Sequence, residues 1–287
     1  LTGEQVSILG LNDILTNIKK AKEDENIKGI YLEMGYLNTG FATIEEIRNA
    51  LLDFKESGKF ITTYSEIYTQ RAYYLASVAD NICIYPEGAL ELKGLNSTAV
   101  FFTNALKKIG VEPQIIRHGK FKSAVEPFML TEMSDANRDQ VETFMGSIWK
   151  QFLDDVASDR QLTSDRLNKI ANNLEVRTPK DALELGLVDS LFYRDQLENH
   201  FASLMEKENY DDVKFIKLKK YNHVRNENSR EKFKKEKIAV IYAQGEITSG
   251  EGSETVIGSE RLSKAIRQAR KDEKVKAIVL RVNSPGG

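Results

Sequence analysis

The chain has 287 residues, a formal net charge of −2, 41% hydrophobic residues and 29% charged residues. This balance is ordinary for a globular protein of about two domains, and the charge gives no electrostatic reason to expect a nucleic-acid partner. A lone cysteine, Cys83, excludes an intramolecular disulfide, and neither a signal peptide nor an apolar run of about 18 residues that could span a membrane is present.

The first third of the chain predicts alternating helices and strands. Ile14, Ile18 and Ala21 follow helical spacing, and the uniformly apolar stretch Gly29–Met34 indicates a strand that is covered on both faces. The pattern then predicts a helix at 44–57, a strand at 60–65, a helix at 69–79 and a strand at 81–85. Such alternation indicates an α/β fold with mostly parallel sheets and crossover helices.

A long helix is predicted after Ser134, which suits an N-cap with Asp135 in the first turn. The apolar residues of this helix predict a buried stripe: Val141, Phe144, Met145, Ile148, Trp149, Phe152, Leu153 and Val156. Pro179 and Gly186 then bound a shorter helix that precedes a return strand. Residues 217–237 are polar and mostly basic, which predicts a solvated linker, with contact to anionic lipid as the alternative.

An internal repeat divides the chain. Residues 12–35, "NDILTNIKKAKEDENIKGIYLEMG", align without a gap with residues 260–283, "ERLSKAIRQARKDEKVKAIVLRVN". The alignment predicts two copies of one α/β unit, of which the second is truncated. We therefore expect a first repeat at 1–216, the linker at 217–237, and the start of a second repeat at 238–287. Because Gly287 ends a strand and turn, we expect the chain to be part of a longer protein.

Several kinds of chemistry have no pattern here. His118, His200 and His223 lack metal-ligand spacing, so neither a metal nor a cofactor is predicted. A Ser-His-Asp triad would have to use His118, and nothing in the sequence orients that residue. The glycine-containing stretch 250–259 lacks the phosphate-loop pattern and is predicted to be a flexible loop.

The stretch "GKFKSAVEPF", residues 119–128, contains a candidate general base, Lys122. Lysine acts as a base only if its pKa falls from about 10.4 to about 7–8, which requires desolvation. Phe121 and Phe128 are expected to exclude water, and Glu126 is expected to point elsewhere, because a close carboxylate would keep the ammonium charged. On composition alone, a surface lysine is the alternative, and a contribution from Lys120 stays open.

Together with "YYLASVADNICIYPEG", "VKAIVLRVNSPGG" and "ALELGLVDSL", this stretch resembles the long, two-repeat form of the signal peptide peptidase A (protease IV) family. The resemblance implies tandem Clp protease/crotonase-like repeats and a serine endopeptidase with a Ser/Lys dyad, which degrades signal peptides and other extended apolar peptides. Lys122 matches the general base, and Gly286 and Gly287 match the loop that donates to the oxyanion. The nucleophilic serine would lie beyond Gly287, so this chain by itself is expected to be inactive.

The resemblance also implies an assembly and a location that the residues themselves do not show. These are a homo-oligomer, which is a tetramer in relatives, and an inner-membrane anchor outside this chain, with the catalytic part facing the periplasm. In the repeat alignment, Pro285-Gly286-Gly287 fall opposite Leu37-Asn38-Thr39. The serine turn implied by the resemblance would correspond to the region of Gln70, where no serine stands and Arg71 occupies a place that would need a small residue. One site assembled from both copies is therefore expected. A crotonase-like acyl-CoA enzyme and a catalytically inactive scaffold are the alternatives.

Overall fold

The computed structural model describes residues 9–225 and 236–287. The chain divides into two compact units at Asn226 and Glu227, a point inside the stretch predicted to be a linker. No helix among the described residues combines the length and apolarity needed to cross a membrane.

The first unit is built on a parallel sheet with helices around it. Its strands are β1 (Gly29–Glu33), β2 (Phe60–Tyr68), β3 (Asn81–Leu90) and β4 (Ser190–Leu191), in the order β1-β2-β3-β4. Its helices are α1 (Leu11–Glu23), α2 (Phe41–Lys55), α3 (Gln70–Ala76), α4 (Thr103–Lys108), α5 (Glu126–Met129), α6 (Asp135–Arg160), α7 (Ser164–Asn172), α8 (Pro179–Glu184), α9 (Arg194–Leu204) and α10 (Leu218–Tyr221). All three strand pairings are parallel, which confirms the predicted α/β class.

The sheet is covered on both faces, as its apolar strands predict. Successive side chains of a strand point to opposite faces. Ile82 and Ile84 accordingly join the main core, whereas Cys83 between them joins a second cluster that includes Leu197 and Phe201 of α9. Each large apolar side chain that is fully buried in this way contributes about 1.5–3 kcal/mol to stability.

Helix α6 begins where the sequence predicts, because the Ser134 hydroxyl accepts a hydrogen bond from the Asn137 amide at 3.2 Å. The predicted buried stripe is wrong for the first half of the helix. Phe152, Leu153 and Val156 are buried, but Phe144 is 64% exposed. In this half of α6, Val141 and Met145 line an open cleft of about 490 Å³, and Phe144, which is not part of that lining, is exposed.

The prediction of a solvated linker at 217–237 is wrong for its first residues. Tyr221 of α10 is buried against the first unit. The ammonium of Lys20 donates to the carbonyls of Tyr221 and Val224, at 2.7 and 2.9 Å, and lies 4.1 Å from the centroid of the Tyr221 ring. These contacts fasten the end of the first unit to α1. Residues 226–235 of the predicted linker lie outside the described residues.

The second unit contains a pair of parallel strands and a small separate sheet. Its elements are β5 (Lys237–Gln244), β6 (Glu246–Thr248), β7 (Gly252–Ser253), β8 (Val256–Gly258), α11 (Ser259–Lys271) and β9 (Val275–Asn283). Strands β5 and β9 pair in parallel, and β6-β8-β7 form the second sheet. The prediction of a flexible loop at 250–259 is therefore wrong. Glycine allows the close approach, since a Cβ on Gly258 would lie 2.1 Å from the Glu251 backbone.

The internal repeat is present in the fold. Helices α1 and α11 both have 13 residues and occupy aligned positions, and each is followed by a parallel strand. Both helices stop at an aspartate with nearly the same backbone conformation: Asp24 has φ −81° and ψ 111°, and Asp272 has φ −80° and ψ 108°. The two copies are thus the same α/β unit, as the sequence alignment predicts.

Candidate active site

Lys122 lies on a long excursion between β3 and α6, residues 95–133, which we call the lysine arm. The arm folds back on itself through hydrogen bonds between its two ends. The Phe102 amide donates to the Pro127 carbonyl at 2.7 Å, and the Thr103 hydroxyl donates to the Leu130 carbonyl at 2.5 Å. These bonds join the region before α4 to the region around α5, and so give the segment that carries Lys122 a defined course.

Lys122 itself immediately precedes a 3₁₀ turn at Ser123–Val125 and is exposed. The prediction that neighbouring phenylalanines exclude water from it is wrong for this chain, because Phe121 and Phe128 are 57% and 43% exposed. Phe128 stacks on Phe102, with ring centroids 5.9 Å apart, and so serves to fold the arm. Within the described residues, nothing provides the desolvation that a basic lysine requires.

Glu126 anchors the arm to α6. Its side chain is only 1% exposed, and it accepts hydrogen bonds from the Ser134 hydroxyl at 2.6 Å, the Asn137 amide group at 2.9 Å and the Ser134 backbone at 3.3 Å. The Arg117 guanidinium lies 3.5 Å away. The expectation that Glu126 points away from Lys122 is confirmed. The carboxylate joins the lysine-bearing turn to the N-cap of a long helix.

The ionisation of Glu126 fits this role. Burial alone would raise the pKa of this carboxyl group, but the hydrogen bonds from Ser134 and Asn137, together with the charge of Arg117, hold its pKa below the usual range. A buried carboxylate that is fully hydrogen-bonded defines one geometry, because each donor fixes an oxygen in space. Glu126 is thus a positioning residue that the sequence reasoning treated only as a complication. The sequence feature that could have identified this role is Ser134, the N-cap of α6, eight residues downstream of Glu126.

The glycine turn of the second unit has a backbone conformation that glycine readily adopts. Gly286 has a φ of 110°, a conformation that favours glycine. Its amide donates to the Ser284 hydroxyl at 3.0 Å, and its carbonyl accepts from the Ile247 amide at 2.9 Å. A Cβ on Gly287 would lie 2.2 Å from the Ile247 carbonyl oxygen, so the turn is held tightly against β6. The Gly286 amide thus already donates a hydrogen bond, whereas the Gly287 amide makes no hydrogen bond with a described residue.

The equivalent positions of the first copy are built differently. None of Leu37, Asn38 and Thr39 has a positive φ. Gln70, in the region expected to correspond to the serine turn, begins α3, and its side-chain oxygen accepts from the amides of Lys93 and Gly94, both at 3.1 Å. Its side-chain nitrogen donates to the Gly94 carbonyl at 3.2 Å. Gln70 therefore fastens the chain just before the lysine arm begins.

The histidines have no place in this arrangement. His200 is packed against the rings of Phe192 and Phe201, and burial lowers its pKa. His118 is exposed on the arm. Across residues 9–225 and 236–287, no cluster of histidine, cysteine, aspartate and glutamate side chains could hold a metal ion.

The parallel strand pairing and the repeated helix–strand unit place the chain in the α/β class, and this architecture is consistent with the Clp protease-like fold. The sequence model of peptidase family S49 matches residues 53–208, which include the whole lysine arm, and the chain belongs to this family.

Comparison with curated proteins gives the same result. The chain is 31% identical to Protease 4 of Haemophilus influenzae over all of its own length and 48% of that protein. It is 34% identical to Protease 4 of Salmonella typhi, with 96% of the chain and 46% of the relative aligned. It is 31% identical to the chloroplastic serine protease SPPA of Arabidopsis thaliana, over 97% of the chain and 42% of the relative. The chain thus spans about half the length of the curated relatives it matches.

Proposed function

We propose that this chain is part of a serine endopeptidase in which Lys122 is the general base of a Ser/Lys dyad. The proposal is carried by one observation: the S49 match includes a lysine arm whose turn at Lys122 is fixed to α6 by the buried Glu126. The nucleophilic serine is proposed to lie outside these 287 residues. The curated relatives named as proteases support the reaction class.

The proposed reaction uses one amine twice. The neutral Lys122 amine takes the proton from the serine hydroxyl as the serine oxygen attacks the peptide carbonyl. The Gly287 N–H donates to the oxyanion of the tetrahedral intermediate, since the Gly286 N–H is already bonded to Ser284. The lysine ammonium then protonates the leaving amine. In the second half of the reaction the amine activates a water molecule, which hydrolyses the acyl-enzyme and releases the serine.

The exposure of Lys122 bears directly on this mechanism, because general-base catalysis by a lysine requires a site from which water is excluded. We propose that further parts of the whole protein, and neighbouring copies in a homo-oligomer, cover the arm and remove water from the amine. The arm carries exposed apolar side chains along its length: Val100, Phe102, Ile109, Val111, Ile116, Phe121, Phe128 and Met129. Apolar surface of this extent on one segment is typical of a region that another surface covers.

The substrate class follows from the family resemblance. Extended apolar peptides, among them cleaved signal peptides, are the proposed substrates, bound through backbone hydrogen bonds next to the glycine turn. Anchoring to the inner membrane, with the catalytic part on the periplasmic side, is proposed on the same resemblance. No cofactor takes part in the proposed reaction.

The test compares lysine variants of the whole protein that contains this sequence. Lys122→Ala is expected to abolish labelling by a fluorophosphonate and to lower casein cleavage by about 10²–10⁴-fold, the usual contribution of a general base. Lys120→Ala, two residues away on the same turn, is the matched control and is expected to keep most activity. The 287-residue chain alone is expected to show no labelling above background. Labelling and cleavage by Lys122→Ala at the parental rate would refute the assignment.

A further inference from the structure

The first unit has its own cleft where three parallel strands end. This strand-end cleft has a volume of about 600 Å³ and is lined by residues from β1, β2, β3 and α9 and the segments that follow them. The lining residues are Glu33, Met34, Gly35, Tyr36, Tyr64, Ser65, Glu66, Ile67, Thr69, Tyr85 and Arg194. The carboxyl ends of parallel strands are where open α/β sheets usually bind ligands. The proposed reaction uses none of these residues.

An irregularity in β2 turns two side chains out of the sheet at this cleft. The pairing of β2 with β3 shifts register between Ser65 and Ile67. The Ser65 hydroxyl holds the distortion, because its one hydrogen lies between two carbonyl acceptors, those of Met34 and Ile67 at 3.0 and 2.8 Å, and its oxygen accepts from the Ile67 amide at 3.1 Å. Residues 60–65 are mostly buried, but Glu66 and Ile67 are exposed in succession. Bulges of this kind often re-aim side chains at functional sites.

Glycine on the neighbouring strand allows this distortion. A Cβ on Gly88 of β3 would lie 2.0 Å from the Glu66 carbonyl oxygen, so any other residue would force the two strands apart. The direction of the Glu66 side chain therefore depends on two specific features of the sequence, the Ser65 hydroxyl and the missing side chain at position 88.

The cleft contains one carboxylate without a counter-ion. Glu33 is paired with Arg194 at 2.9 Å, whereas Glu66 makes no ion pair with any described residue. The negative charge of Glu66 also affects Tyr64. The pKa of Tyr64 is raised mainly by burial and, as the second cause, by the charge of Glu66. The charge that is left in the cleft is thus negative, and it lies beside an aromatic ring.

Three tyrosines complete the lining. Tyr64 is buried, Tyr36 is 79% exposed at the mouth, and Tyr85 is held edge-on against Tyr193 with ring centroids 5.5 Å apart. Aromatic faces attract ammonium and guanidinium groups, and the Glu66 carboxylate attracts the same cations. An anionic ligand would meet the opposite arrangement, since Arg194 is the one cation of the lining and is already paired.

We propose that the strand-end cleft binds a lysine or arginine side chain of an extended peptide, with the cation beside Glu66 and the tyrosine rings. The alkyl stem of that side chain would lie along Met34 and Ile67, which supply the apolar part of the lining. The identity of the ligand as a peptide rests on the proposed peptidase function. The cleft would then give the first copy a part in substrate selection that needs no nucleophile.

Direct binding to the 287-residue chain tests this inference without catalysis. The probes are two fluorescent nonapeptides with blocked ends, one with a single lysine and the other with acetyl-lysine at the same position. The lysine peptide is expected to bind about three- to tenfold more tightly, as one carboxylate and cation–π contact at an accessible site allow. The preference is expected to shrink as salt rises. Equal affinity of the two peptides would overturn the inference.

Variants locate the preference. Glu66→Gln, which removes one charge from an exposed side chain, is expected to abolish it, and Tyr36→Ala is expected to weaken it. Glu23→Gln makes the same charge change in the last turn of α1, outside the cleft, and is expected to leave the preference intact. A preference that survives Glu66→Gln would also overturn the inference. Failure of the peptidase proposal would appear separately, as retained fluorophosphonate labelling in Lys122→Ala.

Discussion

Replacement of Glu126 by glutamine tests whether one buried carboxylate fixes the lysine arm. The two carboxylate oxygens accept three hydrogen bonds from Ser134 and Asn137. Glutamine offers one oxygen, and its NH₂ group would face a donor at the other position. Hydrogen bonds to charged groups contribute about 1.5–3 kcal/mol. We therefore expect the contact between the lysine arm and α6 to lose about 2 kcal/mol of stability, which corresponds to an approximately 30-fold increase in the equilibrium constant for local opening of the arm.

Amide hydrogen exchange is the appropriate assay, because a local opening need not unfold the chain as a whole. The amides of Ser134 and Asn137 are expected to exchange faster in Glu126→Gln, whereas those of the central strands β2 and β3 are expected to keep their protection. Glu132→Gln is the matched control, since Glu132 lies on the same arm and is exposed. Unchanged exchange at Ser134 and Asn137 in Glu126→Gln would refute the reasoning.

The same carboxylate gives a pH dependence with a defined sign. The pKa of Glu126 is lowered in the folded state, so its contribution to stability is complete above the unfolded pKa of about 4.3. The contribution is lost as the pH falls through the folded pKa. The difference in exchange between the parent chain and Glu126→Gln is therefore expected at neutral pH and should diminish in acid.

Two further predictions concern packing. Gly146→Ala in α6 is expected to raise the free energy of unfolding by about 0.5–1 kcal/mol, because a Cβ there meets no atom within 4 Å. Gly88→Ala is expected to lower it by at least about 1–3 kcal/mol, because its Cβ would clash with β2. Urea unfolding measures both changes, and equal effects of the two substitutions would contradict this reasoning. Burial raises the pKa of the Cys83 thiol to about 12, so a thiol reagent at neutral pH is expected to react only after unfolding, and rapid labelling of the native chain would contradict its burial.

The fold was largely predictable because its signals are local. The apolar runs that form β1, β2 and β3 and the helical spacing of Ile14, Ile18 and Ala21 are set by near neighbours, and the internal repeat supplied an independent check. Ser134 was recognised as an N-cap for the same reason. Each of these features depends on residues within a few positions along the chain.

The errors concern contacts that come from elsewhere in the chain. Periodicity shows which residues of α6 are apolar, but it does not show that Phe144 is 64% exposed in the folded chain. The basic stretch after position 217 includes Tyr221, which is buried next to Lys20, about 200 positions earlier in the chain. The exposure of Lys122 could not be predicted for the same reason. Neighbouring phenylalanines exclude water from an amine only if a surface from elsewhere packs over them.

The Gln70 side chain gives the first copy a structural role at this position. The Gln70 side chain accepts hydrogen bonds from the Lys93 and Gly94 amides and donates one to the Gly94 carbonyl. A serine side chain is too short to make these three bonds. A serine at this position would lose these three hydrogen bonds and would release the segment from which the lysine arm begins. Position 70 thus holds the backbone in place, and a shorter side chain there would change the course of the arm as well as the residue itself.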